Sequence, residues 1–161
     1  MHFDPLTITD RIPVIDLFNY YIENSFAAYP EQKVSYDFFD LLLKAGEGYP
    51  TLSVKEPAAG VIGFGMLRPY HPFPVFSRTA EISYFIAPEW TGRGIGEKML
   101  SYLLEKGKDQ GLSSILASIS SLNPGSLRFH QKNGFKECGR LQKVGEKQGQ
   151  VFDVVYMQRF L

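Results

Sequence analysis

The stretch EWTGRGIGEKML, residues 89–100, places Gly92, Gly94 and Gly96 at alternate positions just ahead of a run that reads as a helix. The chemistry such a stretch can do is anion binding. The first-turn N–H groups of a helix have no internal partners and sit at the positive end of its dipole, so backbone alone can hold a phosphate. Glycines keep Cβ atoms out of the path of the approaching oxygens. Two familiar phosphate loops do not fit. A dinucleotide fingerprint counted from Gly92 needs a glycine at 97, where Glu97 stands, and Gly107-Lys108 is followed by Asp109 rather than serine or threonine. A turn kept tight only for packing is the other reading of the same glycines.

The elements that must position this loop follow from periodicity and breakers. Leu6 to Thr9 alternates like a short strand, and Asp10 is placed to cap a helix from about Ile12 to Ala28 with Ile15, Phe18, Ile22 and Phe26 on one stripe. Ser35 is placed to cap a second helix, Tyr36 to Lys44, ending near Gly46 and Gly48. Strands are expected at Thr51 to Lys55, Gly60 to Arg68 and Arg78 to Ala87, with the proline-rich PYHPFPVF as a surface loop between the last two. A helix then runs from the glycines to about Lys108, followed by a strand at Ser113 to Ser120 and a short helix from Asn123 to Asn133. Lys136 to Val144 and Gln150 to Phe160 close the chain as two strands hinged at EKQG. This order predicts a single α/β or α+β domain over residues 1–161, with helices flanking a sheet of about six or seven strands.

Composition narrows the classes. The chain has 161 residues, 44% of them hydrophobic and 14% aromatic, as expected of a globular domain with a real core. Lys plus Arg and Asp plus Glu both number 17, which argues against a nucleic-acid binder relying on a broad basic face. Cys138 is the only cysteine, which excludes an intrachain disulfide and a cysteine zinc site, and no metal is expected. No apolar run reaches membrane-spanning length, and MHFDPLTITDRI lacks the basic-then-apolar pattern of a secretion signal. A cytoplasmic protein without a membrane partner is expected.

The segment IAPEWTGRGIGEKML resembles the acyl-coenzyme A signature of the GNAT N-acetyltransferases, Gln/Arg-x-x-Gly-x-Gly/Ala, mapped onto Thr91, Gly92, Arg93, Gly94, Ile95 and Gly96. Thr91 departs from that pattern at its first position. The resemblance implies a mostly antiparallel mixed sheet and acetyl-CoA as co-substrate. It places the pyrophosphate on the loop N–H groups and the pantetheine arm along the strand that ends at Phe85 and Ile86. Downstream, NPGSLRFHQKNGFKECGRLQKVGEKQGQVFDVVYMQ is similar to the C-terminal signature of the phosphinothricin and L-amino acid N-acetyltransferases. SRTAEISYFIAP resembles their Thr-x-Glu-x-Ser-x-Tyr-Val strand. Phe76 and Ser77 stand where many relatives carry Tyr-Arg for a substrate carboxylate, so the acceptor is the weakest part of the transfer. The subfamily implies small amino acids or analogues as acceptors, of the phosphinothricin, methionine sulfone or methionine sulfoximine type, and a homodimer.

Acetyl transfer from a thioester to an amine needs a neutral amine, a polarised carbonyl and a proton for the departing thiolate. The resemblance makes Glu81 the general base, sharing a strand face with Ser83 and Phe85. The bland alternative is a surface glutamate or an ion-pair partner of Arg78. His130, on the helix opened by Asn123, is the candidate for the thiolate proton or for an orienting role, against the reading of a purely structural histidine. Asn123 caps that helix, and Asn123 and Ser126 are cofactor candidates. Phe73, Phe76 and Arg78 are candidates for the acceptor pocket, with Trp90 as a further wall. Acetylation of a protein N-terminus or another amine metabolite is a second enzyme reading. A module that holds CoA without turnover needs the glycine loop but neither Glu81 nor His130.

Overall fold

The computed structural model describes residues 1–161. Seven strands form one sheet: β1 (His2–Asp4), β2 (Thr51–Glu56), β3 (Gly60–Pro69), β4 (Thr79–Ile86), β5 (Ser114–Ser120), β6 (Lys136–Lys147) and β7 (Gln150–Phe160). Four helices cover it: α1 (Arg11–Asn24), α2 (Phe38–Ala45), α3 (Ile95–Asp109) and α4 (Pro124–Lys132). The strand order is β1-β2-β3-β4-β5-β7-β6. Every pairing is antiparallel except β4 with β5. The mixed, mostly antiparallel sheet expected from the resemblance is therefore the one observed.

The two faces of the sheet are filled separately. On one, α3 packs Ile95, Met99, Leu100 and Leu103 against Ala80 and Ile82 of β4, Ile115 of β5 and Met157 of β7. Fully burying a side chain of this size contributes about 2 kcal/mol, so this face carries much of the stability. On the other, Val14, Ile15 and Leu17 of α1 and Phe39 of α2 pack on Phe64 of β3 with Phe85 beside them. The alternation of β4 decides what faces the site: Ala80, Ile82, Tyr84 and Ile86 turn toward α3, and Phe85 turns toward α1.

The parallel pair β4–β5 is short. Its register holds only at Thr79↔Ser114, Ala80↔Ile115 and Glu81↔Leu116, although both strands run on. Beyond Glu81 they part, leaving Ile82 to Ile86 with a free backbone edge on the β5 side.

Five expectations shift. The first strand lies at His2–Asp4, while Ile8–Asp10 is a 3-10 turn. The Asp10 carboxylate accepts from Thr7 N at 2.9 Å and pairs with Lys55 Nζ at 2.9 Å instead of capping α1. Helix α1 ends at Asn24 rather than near Ala28, because Ser25 is extended and its Oγ donates to the Tyr21 carbonyl at 2.8 Å. Helix α2 begins at Phe38, after a turn in which Phe38 N donates to Ser35 O at 3.0 Å. At the hinge, β6 continues to Lys147, so only Gln148 and Gly149 make the turn, both at positive φ.

Candidate active site

The glycine turn sits between β4 and α3. Gly94 is the residue before the first helical one and adopts φ 75°, and Gly92 adopts φ 72°, in the left-handed region that suits glycine. Nothing lies within 4 Å of where a Cβ on either would stand, so both open onto space rather than onto packing. Gly96 differs. It is helical, and a Cβ there would meet the Phe129 ring at 3.2 Å, so its bareness serves the close approach of α3 to α4. From Gly92 to Glu97 no backbone N–H donates to a protein acceptor, and the first bond of the helix is Lys98 N to Gly94 O at 3.3 Å. That row of orphan donors at a helix start is an anion cradle. Glu97, in the same first turn, pairs with Lys132 at 2.7 Å, which offsets its charge.

A cleft of about 740 Å³ runs from this cradle toward the sheet. Phe85, Ile86, Thr91, Gly92, Gly94, Gly96, Asn123 and Ser126 line it, as do Tyr21 and Tyr84. Tyr21 Oη donates to the Ile86 carbonyl at 2.6 Å and so ties α1 to the end of β4. Arg93 instead stacks over Trp90, 4.7 Å from the ring, and Ile95 turns its side chain into the core, contributing only its N–H. Where β4 and β5 part, the cleft narrows into a recess of about 110 Å³ floored by Ile82–Phe85 and Ala117–Ser120, with His130 in its wall.

Glu81 stands at the apex of that parting, in the last paired register of β4 and β5. Its partner is Arg68 of β3, not Arg78. Arg68 donates Nε at 3.2 Å and Nη2 at 2.7 Å, both to Oε2, which leaves Oε1 with no protein donor. The pair is partly exposed, the Glu81 side chain by 21% and that of Arg68 by 39%. Tyr29, in the segment after α1, lies close enough to Glu81 and Arg68 to feel both charges, and burial pushes its hydroxyl above the ordinary tyrosine range.

His130 is buried, and both its ring nitrogens are engaged. Nδ1 lies 2.7 Å from the Ser126 carbonyl, an acceptor only, so Nδ1 carries the proton. Nε2 then presents a lone pair, and the Tyr84 hydroxyl donates to it across 2.7 Å. Burial lowers the His130 pKa, partly opposed by the Ser126 carbonyl, and raises that of Tyr84. The histidine is thus neutral and orients Tyr84, which lines both cleft and recess. Asn123 Oδ1 accepts from Ser126 N at 3.2 Å and fixes the start of α4, a cap of about 1 kcal/mol.

Phe73, Phe76 and Arg78 are not drawn into the cleft. Phe73 is 64% exposed and clusters with Phe76 around His71, at 5.0 and 4.8 Å between ring centres. Arg78 Nε reaches the Gly111 carbonyl at 3.4 Å, at the far end of α3 from the glycine turn. Arg68, Tyr84, Tyr29 and Tyr21 were not among the residues singled out from sequence. Tyr84 carried a signal, since period two sets it on the opposite face of β4 from Glu81. The others meet the site only through strand register and the path of the chain after α1.

Sequence and fold both match known acetyltransferases. The model of the acetyltransferase (GNAT) family matches residues 14–135. The chain is 30% identical, over 94% of its length and 89% of the other's, to the L-methionine sulfoximine/L-methionine sulfone acetyltransferase of Pseudomonas aeruginosa. Its fold matches the ribosomal-protein-alanine N-acetyltransferase of Brucella melitensis with TM-score 0.92 at 29% identity, covering 100% of both chains. It also matches a phosphinothricin acetyltransferase of Sinorhizobium meliloti, in complex with acetyl-CoA, with TM-score 0.93 at 26% identity, covering 99% of this chain and 88% of the other. With the family pattern spanning most of its length, this chain belongs to the GNAT family of acetyltransferases.

Proposed function

We propose that the protein transfers the acetyl group of acetyl-CoA directly to the primary amine of a small amino acid or analogue, of the methionine sulfone, methionine sulfoximine or phosphinothricin type. The observation that carries this reading is the continuity of the cleft. Unpartnered N–H groups from Gly92 to Glu97 suit a pyrophosphate, and the free edge of β4 suits an extended amide arm. The recess at the parting of the strands suits an acetyl thioester and ends near a carboxylate with one open oxygen. Phosphate and pantetheine therefore fit the residues present.

In this reading Glu81 Oε1 takes the ammonium proton of the acceptor, directly or through a water, and Arg68 holds the carboxylate in place through Oε2. The third guanidinium nitrogen of Arg68 has no protein partner, so it also supports recognition of an acceptor carboxylate. The neutral amine attacks the thioester carbon, the nitrogen sheds its second proton to the solvent-connected cleft as the amide forms, the C–S bond breaks, and the thiolate takes a proton from the same cleft. A thiol pKa near 8.5 makes that last step undemanding, so His130 and Tyr84 shape the recess more than they drive the reaction. A homodimer and a cytoplasmic location belong to the same proposal; the free outer edge of β6, with Leu141 and Val144 exposed, supports pairing of copies.

The likeness to a ribosomal-protein-alanine N-acetyltransferase supports a second reading, acetylation of a protein N-terminus. Thiol release from acetyl-CoA, measured with L-methionine sulfone, L-methionine sulfoximine, phosphinothricin and an alanine-led peptide, separates the two. Turnover with the amino-acid analogues and not the peptide is the expected outcome. Turnover with the peptide alone replaces the proposal by the second reading, and CoA binding without any thiol release overturns both.

A further inference from the structure

The tip of the β6–β7 hairpin grips the segment that follows α1. Lys147 is about 1% exposed, yet it is a lysine. Its ammonium donates to the carbonyls of Ile22 at 2.7 Å, Ser25 at 2.8 Å and Ala28 at 2.7 Å. An ammonium has three N–H donors and no acceptor, so the site is fully matched. Burial works against the charge, and Glu31 supports it. These carbonyls belong to the last turn of α1 and the chain just beyond it, where a helix leaves acceptors unpaired. With Lys147 serving them, the chain leaves the helix at Ser25 instead of continuing toward Ala28.

A second grip lies two residues earlier. A Cβ on Gly145 would collide with the ring of its cross-strand partner Phe152. The glycine lets that ring lie across the strand, where it stacks on Tyr29 at 5.8 Å and 9° and meets Phe26 at 6.1 Å. Gln148 N adds a bond to Glu31 Oε1 at 3.0 Å. The segment so held contains Ala27, which lines both cleft and recess, and Tyr29, whose hydroxyl feels the charges of Glu81 and Arg68.

We propose that Lys147 is a positioning residue for the acceptor: by gathering the carbonyls of Ile22, Ser25 and Ala28 it shapes residues 25–29 so that Tyr29 is presented to the Arg68–Glu81 pair. This rests on the acceptor reading given above. Tyr29 is then the residue through which Lys147 acts on acceptor affinity, although 118 positions separate the two in sequence.

Steady-state kinetics with acetyl-CoA and L-methionine sulfone, or the alanine-led peptide if only that is turned over, test this in Lys147→Met, Tyr29→Leu and the double variant. Lys147→Met is expected to raise the acceptor KM by about ten-fold while the KM for acetyl-CoA changes by less than about two-fold. A purely structural lysine would lower Tm and the active fraction and leave both KM values unchanged. Tyr29→Leu should give a similar rise, and the double variant should add little to either, because both act through the placement of one side chain. An unchanged acceptor KM in Lys147→Met, or effects that multiply in the double variant, overturns the proposal. If Lys147→Met does not fold, Lys147→Arg keeps the charge but misplaces the donors and must show the same KM split. Wild-type protein that acetylates no amine refutes the acceptor reading itself. The positioning role is then read from amide hydrogen exchange over residues 25–29. Faster exchange in the folded lysine variant supports the role, and unchanged exchange refutes it.

Discussion

At the glycine turn the protein presents backbone N–H groups from one unbroken stretch, residues 92–97, whereas around Glu81 it gathers side chains from distant places. Arg68 comes from β3, Glu81 from β4, Tyr29 from the chain after α1, and Lys147 braces that chain from the end of β6. A backbone cradle depends on φ and ψ and on the absence of side chains, so a handful of adjacent residues specify it. A side-chain constellation depends on how strands register and where helices stop, so it is as exact as the packing behind it. Damage to the first end should therefore appear in cofactor affinity, and damage to the second in turnover and acceptor affinity.

The largest effect should fall at the acceptor end. Glu81→Gln keeps a partner for Arg68 but cannot take a proton, and kcat should drop by about a hundred-fold with the KM for acetyl-CoA nearly unchanged. Wild-type turnover in that variant removes Glu81 from the chemistry. At the nucleotide end, Gly94→Val meets no neighbour but forces a β-branched residue to φ 75°, a strain of about 1–3 kcal/mol. The KM for acetyl-CoA should rise by about ten-fold with kcat largely kept, and an unchanged KM would mean that the phosphates bind elsewhere.

The smallest effect belongs to His130, between the two ends. Because burial lowers its pKa, the unfolded chain takes up a proton as pH falls through 6.5 while the folded protein still resists it. Stability is fully present above that pH and is lost below it, toward the folded-state pKa. Melting curves at pH 7.5 and 5.5 should show a Tm loss on the acid side that is smaller in His130→Gln. At neutral pH that variant should lose only a few-fold in kcat, since the solvent-connected cleft can protonate the thiolate. An acid-side Tm loss as steep in the variant as in the wild type would remove His130 as its source.

Local patterns carried much of the fold. Strands β2 to β5 and β7, and helices α3 and α4, follow from alternation, helical periodicity and glycine or proline punctuation, and each lies within a few residues of where the sequence puts it. Leu6 to Thr9 alternates like a strand, but its polar groups are taken by Asp10 and Thr51 and the turn tightens instead. The end of α1 was misplaced for a comparable reason: the residue that satisfies its last carbonyls lies more than a hundred positions away in the chain. In the site, the glycine loop, Glu81, Asn123 and His130 were legible as residue types at telling positions. Arg68 was not, because its meeting with Glu81 exists only through the antiparallel register Arg68↔Glu81 of β3 and β4.

By itself, then, the sequence determined that a bare turn leads into a helix that can hold phosphate, and that a carboxylate and a histidine flank it on a strand and a second helix. These are local matters of dihedral freedom, dipole and side-chain type. Only the tertiary structure decided that the strands part just beyond Glu81, that its partner is Arg68 rather than Arg78, and that His130 spends both nitrogens on Ser126 and Tyr84. Each of these turns on the distance between residues remote in the chain or on which groups are buried together, and neither is a property of residue type.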